Sequence, residues 1–231
     1  MNRLIQLFRN RRVIPRLVEL ALRFEETQDV WTSVEVDLHA GWFGSPHDFQ
    51  HYLEGKSAVE TGSVAELRAW LLGCEYVRDR ELFQEPDYWQ HPLTFEQLRR
   101  GDCEDHALWA WRKLAELALP ASFCVGRWNW NPEEPAFHAW VVFEDRYDKW
   151  ILEGTHRDPA LMQRRFAEAK AEYAPHFSAG HFGEVRAYGG LIQYRDWQRG
   201  QRRRERQSGG EADDSADWMW IGRAGGGPNG G

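Results

Sequence analysis

The sequence predicts an α+β fold in which an amphipathic helix packs on an antiparallel sheet. Along residues 63–74 and 102–118, apolar residues recur at the spacing that is typical of helices with one buried face. After Pro120 the pattern changes to short runs rich in β-branched and aromatic residues, which is typical of strands. The predicted strands cover residues 121–128, 137–144 and 149–153.

Composition and charge limit the classes of protein to which the chain can belong. With 231 residues, 42% of them hydrophobic, the chain is long enough to bury a core. The net charge of −7 leaves no domain-wide basic surface, which excludes nucleic acid as the main partner. Cys74, Cys103 and Cys124 are widely spaced and odd in number, so we expect no disulfide framework and a cytoplasmic location. Cys74 and Cys124 are interpreted as inert.

Residues 1–62 are expected to form a helical and irregular extension. Arginines interrupt every apolar run near the start, so we predict neither a signal-peptide core nor stable membrane insertion. The apolar residues up to about Glu26 recur at helical spacing. We interpret them as a basic amphipathic helix docked on the protein's own core, and a helix lying on a membrane surface is the alternative.

The core is expected to span residues 63–199 and to begin with a helix. Ser63 followed by Glu66 forms a capping box at its start. The connection over residues 81–95 is long and contains proline and aromatic residues. Long connections inside compact domains are often functional, so this one is a candidate part of a site.

The last third of the sequence predicts a further helix, further strands and a tail. A helix is predicted over residues 158–173 with Pro159 at its first position, and one or two strands within 184–197. Residues 200–231 are polar and of low complexity, and we expect them to be disordered. The apolar run 218–221, WMWI, is an exception that we expect to dock on a partner or on the protein's own cleft.

A cysteine stands where a loop becomes the helix of residues 102–118. Asp102 is a suitable N-cap, and Cys103 follows it directly. A thiol acts as a nucleophile only as thiolate, and a helix N-terminus together with a nearby imidazolium lowers its pKa. His138 lies among apolar residues of a predicted strand, where a polar side chain needs a reason. We therefore interpret Cys103 and His138 as a candidate nucleophile and base.

The register of the following hairpin predicts a third member of this group. If residues 145 and 148 close the turn, stepwise pairing brings His138 opposite Thr155. Glu153 then lies on the same face as His138, at a diagonal position that a long side chain can bridge. Asp148 points to the other face. Glu153 is therefore the candidate that orients the imidazole.

The order of these elements resembles the transglutaminase-like superfamily of cysteine enzymes. The resemblance covers about residues 95–156: Gly-Asp-Cys-Glu-Asp opens a helix, His-Ala-Trp lies in a strand, and Trp-Ile-Leu-Glu-Gly-Thr follows. The Asp-Cys-Glu-Asp element is similar to that of the bacterial transglutaminase-like cysteine proteinases. The resemblance implies a papain-like α+β core and a triad formed by Cys103, His138 and Glu153. The family usually has Asp where this chain has Glu153.

This resemblance implies acyl transfer through a thioester at amide bonds of a protein or peptide. We expect hydrolysis, as in a protease or amidase, more than transfer to an amine, because relatives with this element tend to be peptidases. The alternative is a catalytically inactive binding module with the same fold, of which Glu153 would be an early sign. A third hypothesis is a regulated enzyme whose own tail occupies the cleft.

The acids beside the cysteine have two interpretations. In the bacterial proteinases that this element resembles, such acids can hold calcium, which would implicate Asp102, Glu104 and Asp105 as ligands. Helix capping and the helix dipole explain the same residues without an ion. Carboxylates near a thiol also raise its pKa, and a bound cation would remove that conflict. The predicted chemistry itself requires no cofactor.

Other side chains are candidates for a substrate groove or an oxyanion hole. The groove candidates are Trp128, Trp130, Trp140 and His106. For His106, an exposed position in the first helical turn is the alternative. The backbone N–H of Cys103 is one expected oxyanion donor, because it lies at a helix start. The second donor is expected near Trp89 or Gln90.

Overall fold

The computed structural model describes residues 2–38, 45, 47–128 and 136–207, and it has the α+β architecture that the sequence predicts. The helices are α1 (Asn2–Thr27), α2 (Val64–Leu72), α3 (Asp79–Leu82), α4 (Pro92–Leu98), α5 (Cys103–Glu116), α6 (Pro159–Met162), α7 (Phe166–Ala169) and α8 (Gly189–Gln207). The strands are β1 (Ser33–Glu35), β2 (Glu75–Tyr76), β3 (Arg100–Gly101), β4 (Ala121–Trp128), β5 (Phe137–Glu144), β6 (Lys149–Leu152), β7 (Gln163–Arg165), β8 (Tyr173–Gly180) and β9 (Val185–Tyr188).

Seven strands form one antiparallel sheet with the order β1-β9-β8-β4-β5-β6-β7. The hairpin of β5 and β6 has the predicted register, because Glu144 faces Lys149. Its turn is closed by Asp145, whose backbone N–H donates to the carbonyl of Asp148 at 3.0 Å. The Asp145 carboxylate also accepts from the N–H groups of Tyr147 and Asp148. This side-chain bonding fixes the turn and with it the register.

Helix α5 packs on β4 and β5 and buries the larger of two hydrophobic clusters. Trp109 and Trp111 are fully buried in this cluster, which also takes in side chains from α1, α2 and α4. A smaller cluster around Trp140 and Tyr173 lies on the other face of the sheet. Because successive side chains of a strand point to opposite faces, Ala139 belongs to the α5 face and Trp140 to the other.

Two predicted features of the helices are confirmed. Helix α2 begins after Ser63, whose hydroxyl accepts from the N–H of Glu66 at 3.2 Å. Helix α5 begins at Cys103, with Asp102 as its N-cap. The nucleophile candidate is therefore placed at a helix start by local sequence, as the pattern indicates.

The predicted helix over residues 158–173 is wrong in its extent. The helix that begins at Pro159 ends at Met162, and the chain then forms β7, which pairs with β6. Within residues 184–197, where one or two strands are predicted, β9 is the strand and α8 follows it directly. Helix α8 continues to Gln207, although residues from 200 onward were expected to be disordered. The groove candidate Trp130 and the run 218–221 lie outside the described residues.

Within the described residues, every helix is too short or too polar to cross a lipid bilayer.

Candidate active site

Cys103 lies at the start of α5, where its thiol donates to Glu104 Oε2 at 3.1 Å. The backbone N–H of Ala139 lies close enough to the sulfur to affect its pKa. Burial raises the pKa of Cys103, and the negative charges of Glu104 and Asp102 raise it further. The N–H of Ala139 lowers the pKa by a smaller amount. The arrangement therefore favours the neutral thiol.

His138 and Glu153 are brought together in the hairpin of β5 and β6. The distance between His138 Nε2 and Glu153 Oε2 is 2.7 Å, and Glu153 is only 1% exposed. The other carboxylate oxygen of Glu153 accepts from the Thr155 hydroxyl at 2.9 Å. Burial raises the pKa of Glu153, but the charge and hydrogen bond of His138 outweigh this and leave the pKa below its usual value. Glu153 is therefore an ionised and oriented carboxylate.

Cys103 lies beside His138 without being bonded to it. The nitrogen of Ala139 belongs to the peptide bond that follows His138, so the Cys103 sulfur lies against this part of the backbone. Among the described residues, no hydrogen bond joins the Cys103 thiol to the His138 ring. Because His138 Nε2 is hydrogen-bonded to Glu153, Nδ1 is the ring nitrogen that could accept a proton from a thiol. The thiol itself is directed toward Glu104.

A cluster of acidic side chains surrounds the start of α5. Sets of three of its residues place oxygen or sulfur atoms within 4.8 Å of one another. The acidic members are Asp79, Asp87, Asp102, Glu104 and Asp105. Burial raises the pKa of Asp79 to about 7, and the charge of Asp102 contributes to this shift. Such mutual repulsion is the condition in which a bound cation is stabilising.

Asp79 supplies an oxygen without a protein partner to this cluster. One of its oxygens accepts from the N–H of Tyr88 at 2.6 Å, whereas Oδ1 has no hydrogen-bond partner among the described residues. The side chain is only 4% exposed. A buried carboxylate oxygen is normally satisfied, so this atom is available to a ligand.

Asp105 has a structural role that its neighbours do not share. Its oxygens accept from the backbone N–H of Gln90 at 2.8 Å, from the Gln90 side-chain amide and from the N–H of Asp102 at 3.3 Å. These bonds attach the connection before α4 to the start of α5. They also engage the N–H of Gln90, so this N–H is not the second oxyanion donor.

Trp128 is the groove candidate that the structure places next to His138. The two ring centroids are 5.3 Å apart, and Trp128 is half-buried. The centroid of the His156 ring lies 5.8 Å from that of Trp128. Trp128 therefore covers one side of the imidazole and shields it from water.

Trp140 and His106 do not line an open groove, which corrects the prediction for both. Trp140 is fully buried in the smaller hydrophobic cluster, where its ring supports that of His138. His106 is also fully buried, and its Nδ1 bonds to the carbonyl of Asp102 at 2.7 Å. Burial lowers the pKa of His106 to about 4, so this ring is neutral at physiological pH. Both side chains are buried because β5, which carries Trp140, and α5, which carries His106, are covered by neighbouring elements.

Sequence reasoning missed Asp79 and Asp87 as neighbours of the cysteine. Asp79 is the first residue of α3, and Asp87 lies in the connection between α3 and α4. The available signal was the long connection over residues 81–95, which includes Asp87. Nothing in local sequence indicates that this connection folds back onto the start of α5.

Comparisons with known proteins give low-level structural similarity. No family model matches the chain, and no curated protein matches it. Legionella pneumophila LapG is 18% identical over 59% of this chain and 71% of LapG, with a TM-score of 0.39, and its calcium-bound structure gives the same values. A candidate cysteine protease from Cytophaga hutchinsonii is 18% identical over 64% of this chain and 53% of that protein, with a TM-score of 0.35. Because these scores are low, the chemistry proposed below depends on the chain's own geometry.

Proposed function

We propose that the chain is a cysteine enzyme that acts on amide bonds of a protein or peptide. Cys103 is the nucleophile, His138 the base and Glu153 the residue that orients the base. The observation that carries this proposal is the 2.7 Å contact between His138 Nε2 and the buried Glu153 carboxylate. A carboxylate that holds one imidazole nitrogen fixes the tautomer and leaves the other nitrogen to accept a proton.

In the proposed reaction, rotation about the Cα–Cβ bond of Cys103 turns the thiol from Glu104 toward His138 Nδ1. His138 takes the thiol proton while the sulfur attacks the amide carbonyl carbon. The tetrahedral intermediate then expels the amine, which receives the proton from His138, and a thioester remains. Water activated by His138 hydrolyses the thioester to a carboxylic acid and the free thiol. The N–H of Cys103, at the start of α5, is the proposed oxyanion donor.

The first experiment measures whether His138 activates Cys103. Iodoacetamide alkylation of each cysteine at neutral pH is followed by mass spectrometry, with the buried Cys74 and Cys124 as internal references. We expect His138→Ala to slow alkylation of Cys103 by about tenfold or more. Glu153→Gln should have a similar effect, whereas Glu153→Asp should retain most of the rate. Circular dichroism establishes that each variant is folded.

The competing function is a binding module without catalysis. The observation that favours it is the Cys103 thiol, which bonds to Glu104 and not to His138. If Cys103 in the folded chain alkylates no faster than the buried cysteines, with or without calcium, the binding module is the better account. If Cys103 is alkylated at the same rate in the wild type and in His138→Ala, the proposed triad is also contradicted.

A second assay separates hydrolysis from amine transfer. The folded chain is incubated with a mixture of unfolded proteins and a fluorescent primary amine. Hydrolysis produces new peptide termini that mass spectrometry detects, whereas amine transfer attaches the fluorescent label to the protein. We propose hydrolysis, so we expect new termini to exceed labelled sites.

We also propose that the acidic cluster binds calcium. Calcium prefers carboxylate oxygens and takes six to eight oxygen ligands. The proposed protein ligands are Asp79, Asp87, Asp102 and Glu104, and the unpartnered oxygen of Asp79 supports this assignment. When bound, the ion supplies positive charge that offsets the repulsion between these acids. Asp105 positions the start of α5, because its oxygens are already engaged.

A further inference from the structure

An apolar groove runs between α1 and α8, away from the site described above. Its cavity volume is about 630 Å³, which is within the range of roughly 300–1,000 Å³ that is typical of binding pockets. Ile14, Val18 and Ala21 of α1 line one wall, and Ile192 of α8 lines the other. Arg195 and Arg199 of α8 form part of its rim.

The α1 wall exposes large apolar side chains in a regular order. Ile14 is 57% exposed and Val18 is 54% exposed, although both are large and apolar. They are four residues apart, so they lie on the same face of the helix. A contiguous exposed apolar stripe between polar rims is typical of a surface that another segment covers.

We propose that this groove is the docking site for residues 218–221 of the same chain. This run, WMWI, places four large apolar residues together between polar and glycine-rich sequence. Tryptophan buries roughly 150–250 Å² of surface and also carries an N–H donor, so it fits an apolar groove with a polar rim. This inference is independent of the proposed catalysis.

The chain between the groove and this run has sufficient length. Helix α8 carries both a groove wall and the last described residue, and it rises about 22 Å from Ile192 to Gln207. Residues 208–217 follow, and ten extended residues span about 33 Å. The run can therefore return along α8 to the groove without any change in the helix.

Charge favours the same return path. Residues 208–217 carry four acidic residues and no basic ones. The last part of α8 exposes Arg203 and Arg204. The groove itself is lined by Arg195 and Arg199 and by the acids Glu25 and Asp196, and Arg199 pairs with Asp196 at 3.5 Å. An acidic connection that runs back along α8 gains attraction mainly from Arg203, Arg204 and Arg195. Because the run is tethered to the groove, its effective concentration there is in the millimolar range for a short linker.

Crosslinking in the full chain tests this proposal. Met219→Cys is combined with Val18→Cys in the groove, in a Cys103→Ser background, and a short bifunctional maleimide is added. The control combines Met219→Cys with Phe182→Cys, which is exposed at the turn between β8 and β9. Ala21→Cys is a second groove position in case Val18→Cys disturbs α1. Peptide mapping identifies the linked pairs, and circular dichroism establishes folding.

We expect the groove pair to link within one chain about tenfold more than the control pair, as an effective-concentration difference predicts. Adding Trp218→Ala and Trp220→Ala should reduce this link to the level of the control. Equal linking of the groove and control pairs would overturn the proposal. Linking only between two chains would also overturn it, and a second copy would then be the occupant.

Discussion

At the scale of single residues, the acidic side chains around Cys103 repel one another in the folded chain. Asp79 illustrates this, because burial and the charge of Asp102 raise its pKa to about 7. A shift of about three units from 3.8 is equivalent to about 4 kcal/mol between the protonation states. The folded chain holds this proton more tightly than the unfolded chain, so stability is lost as the pH rises from about 4 to 7. A bound divalent cation would oppose this loss.

We predict that calcium raises the thermal unfolding midpoint of the chain and that Asp79→Asn removes most of this effect. Ligand at 100 times its dissociation constant stabilises the folded state by about 2.7 kcal/mol. Asn retains an oxygen that can accept from the N–H of Tyr88, but it lacks the charge that attracts the ion. The measurement is differential scanning fluorimetry in a chelator and in excess calcium.

The matched control for this prediction is Asp37→Asn. Asp37 is an exposed acid that does not belong to the acidic cluster around Cys103. It should retain the full response to calcium. An equal response in Asp79→Asn would exclude Asp79 as a ligand. A wild-type chain that does not respond at all would contradict the calcium proposal, while the alkylation of Cys103 would still test the triad.

At the scale of elements, prediction from sequence succeeded where local side chains determine the structure. The register of β5 and β6 follows from the turn at residues 145–148, whose aspartate bonds to its own backbone. That register alone is sufficient to place Glu153 near His138. The start of α5 was equally predictable, because Asp102 is a local N-cap.

Prediction from sequence failed where contacts with residues distant in the sequence determine the secondary structure. Residues 163–165 have helical neighbours, yet they form β7 because the edge of β6 offers backbone hydrogen bonds. Arg164 of β7 also forms an ion pair with Glu172 at 2.5 Å. Tertiary contacts of this kind override intrinsic helix propensity. For the same reason, Asp79 could not be assigned to the site, since only folding brings it to α5.

Gly126 gives an element-level prediction next to the site. This residue lies opposite His138 on β4, where the pairing of β4 with β8 shifts register. A Cβ atom at this position would overlap the carbonyl oxygen of Ala174 and lie 2.7 Å from the Cα of Pro175. Both contacts are backbone atoms, which cannot move aside. We expect Gly126→Ala to lower the free energy of unfolding by about 2 to 3 kcal/mol.

The matched control is Gly200→Ala on α8, where an added Cβ meets no atom within 4 Å. Because alanine is a better helix former than glycine, we expect this variant to gain about 0.5 to 1 kcal/mol. Urea unfolding followed by circular dichroism measures both. If Gly126→Ala is as stable as the wild type, the close approach of β8 to β4 is incorrect.

At the scale of the whole molecule, neutral histidines are buried on two different elements of the fold. His106 lies in α5. His176 lies in β8, where Phe137 of β5 and Tyr194 of α8 contact its ring. Burial, together with a smaller contribution from the charge of Arg127 on β4, lowers the pKa of His176 to about 3. Each histidine therefore links the packing of several elements to pH.

The sign of this linkage follows from which state binds the proton. Between about pH 3 and 6.5 the unfolded chain binds a proton at His176 that the folded chain excludes, so stability is lost as the pH falls. From pH 7 to pH 5 the loss due to His176 is about 2 kcal/mol. Asp79, whose pKa is raised to about 7, titrates in an overlapping range with the opposite sign. A comparison with a variant that lacks only the histidine therefore isolates its contribution.

We predict that His176→Gln loses about 2 kcal/mol less stability than the wild type when the pH is lowered from 7 to 5. Urea unfolding at both pH values gives the four free energies that this comparison needs. Ser178→Ala, at a buried position of the same strand, is the control, because its side chain does not titrate. That variant should show the full wild-type loss, whatever its stability at pH 7. If His176→Gln shows the same loss as the wild type, His176 is accessible to protons in the folded chain, and the packing of α8 against β8 is looser than the structure indicates.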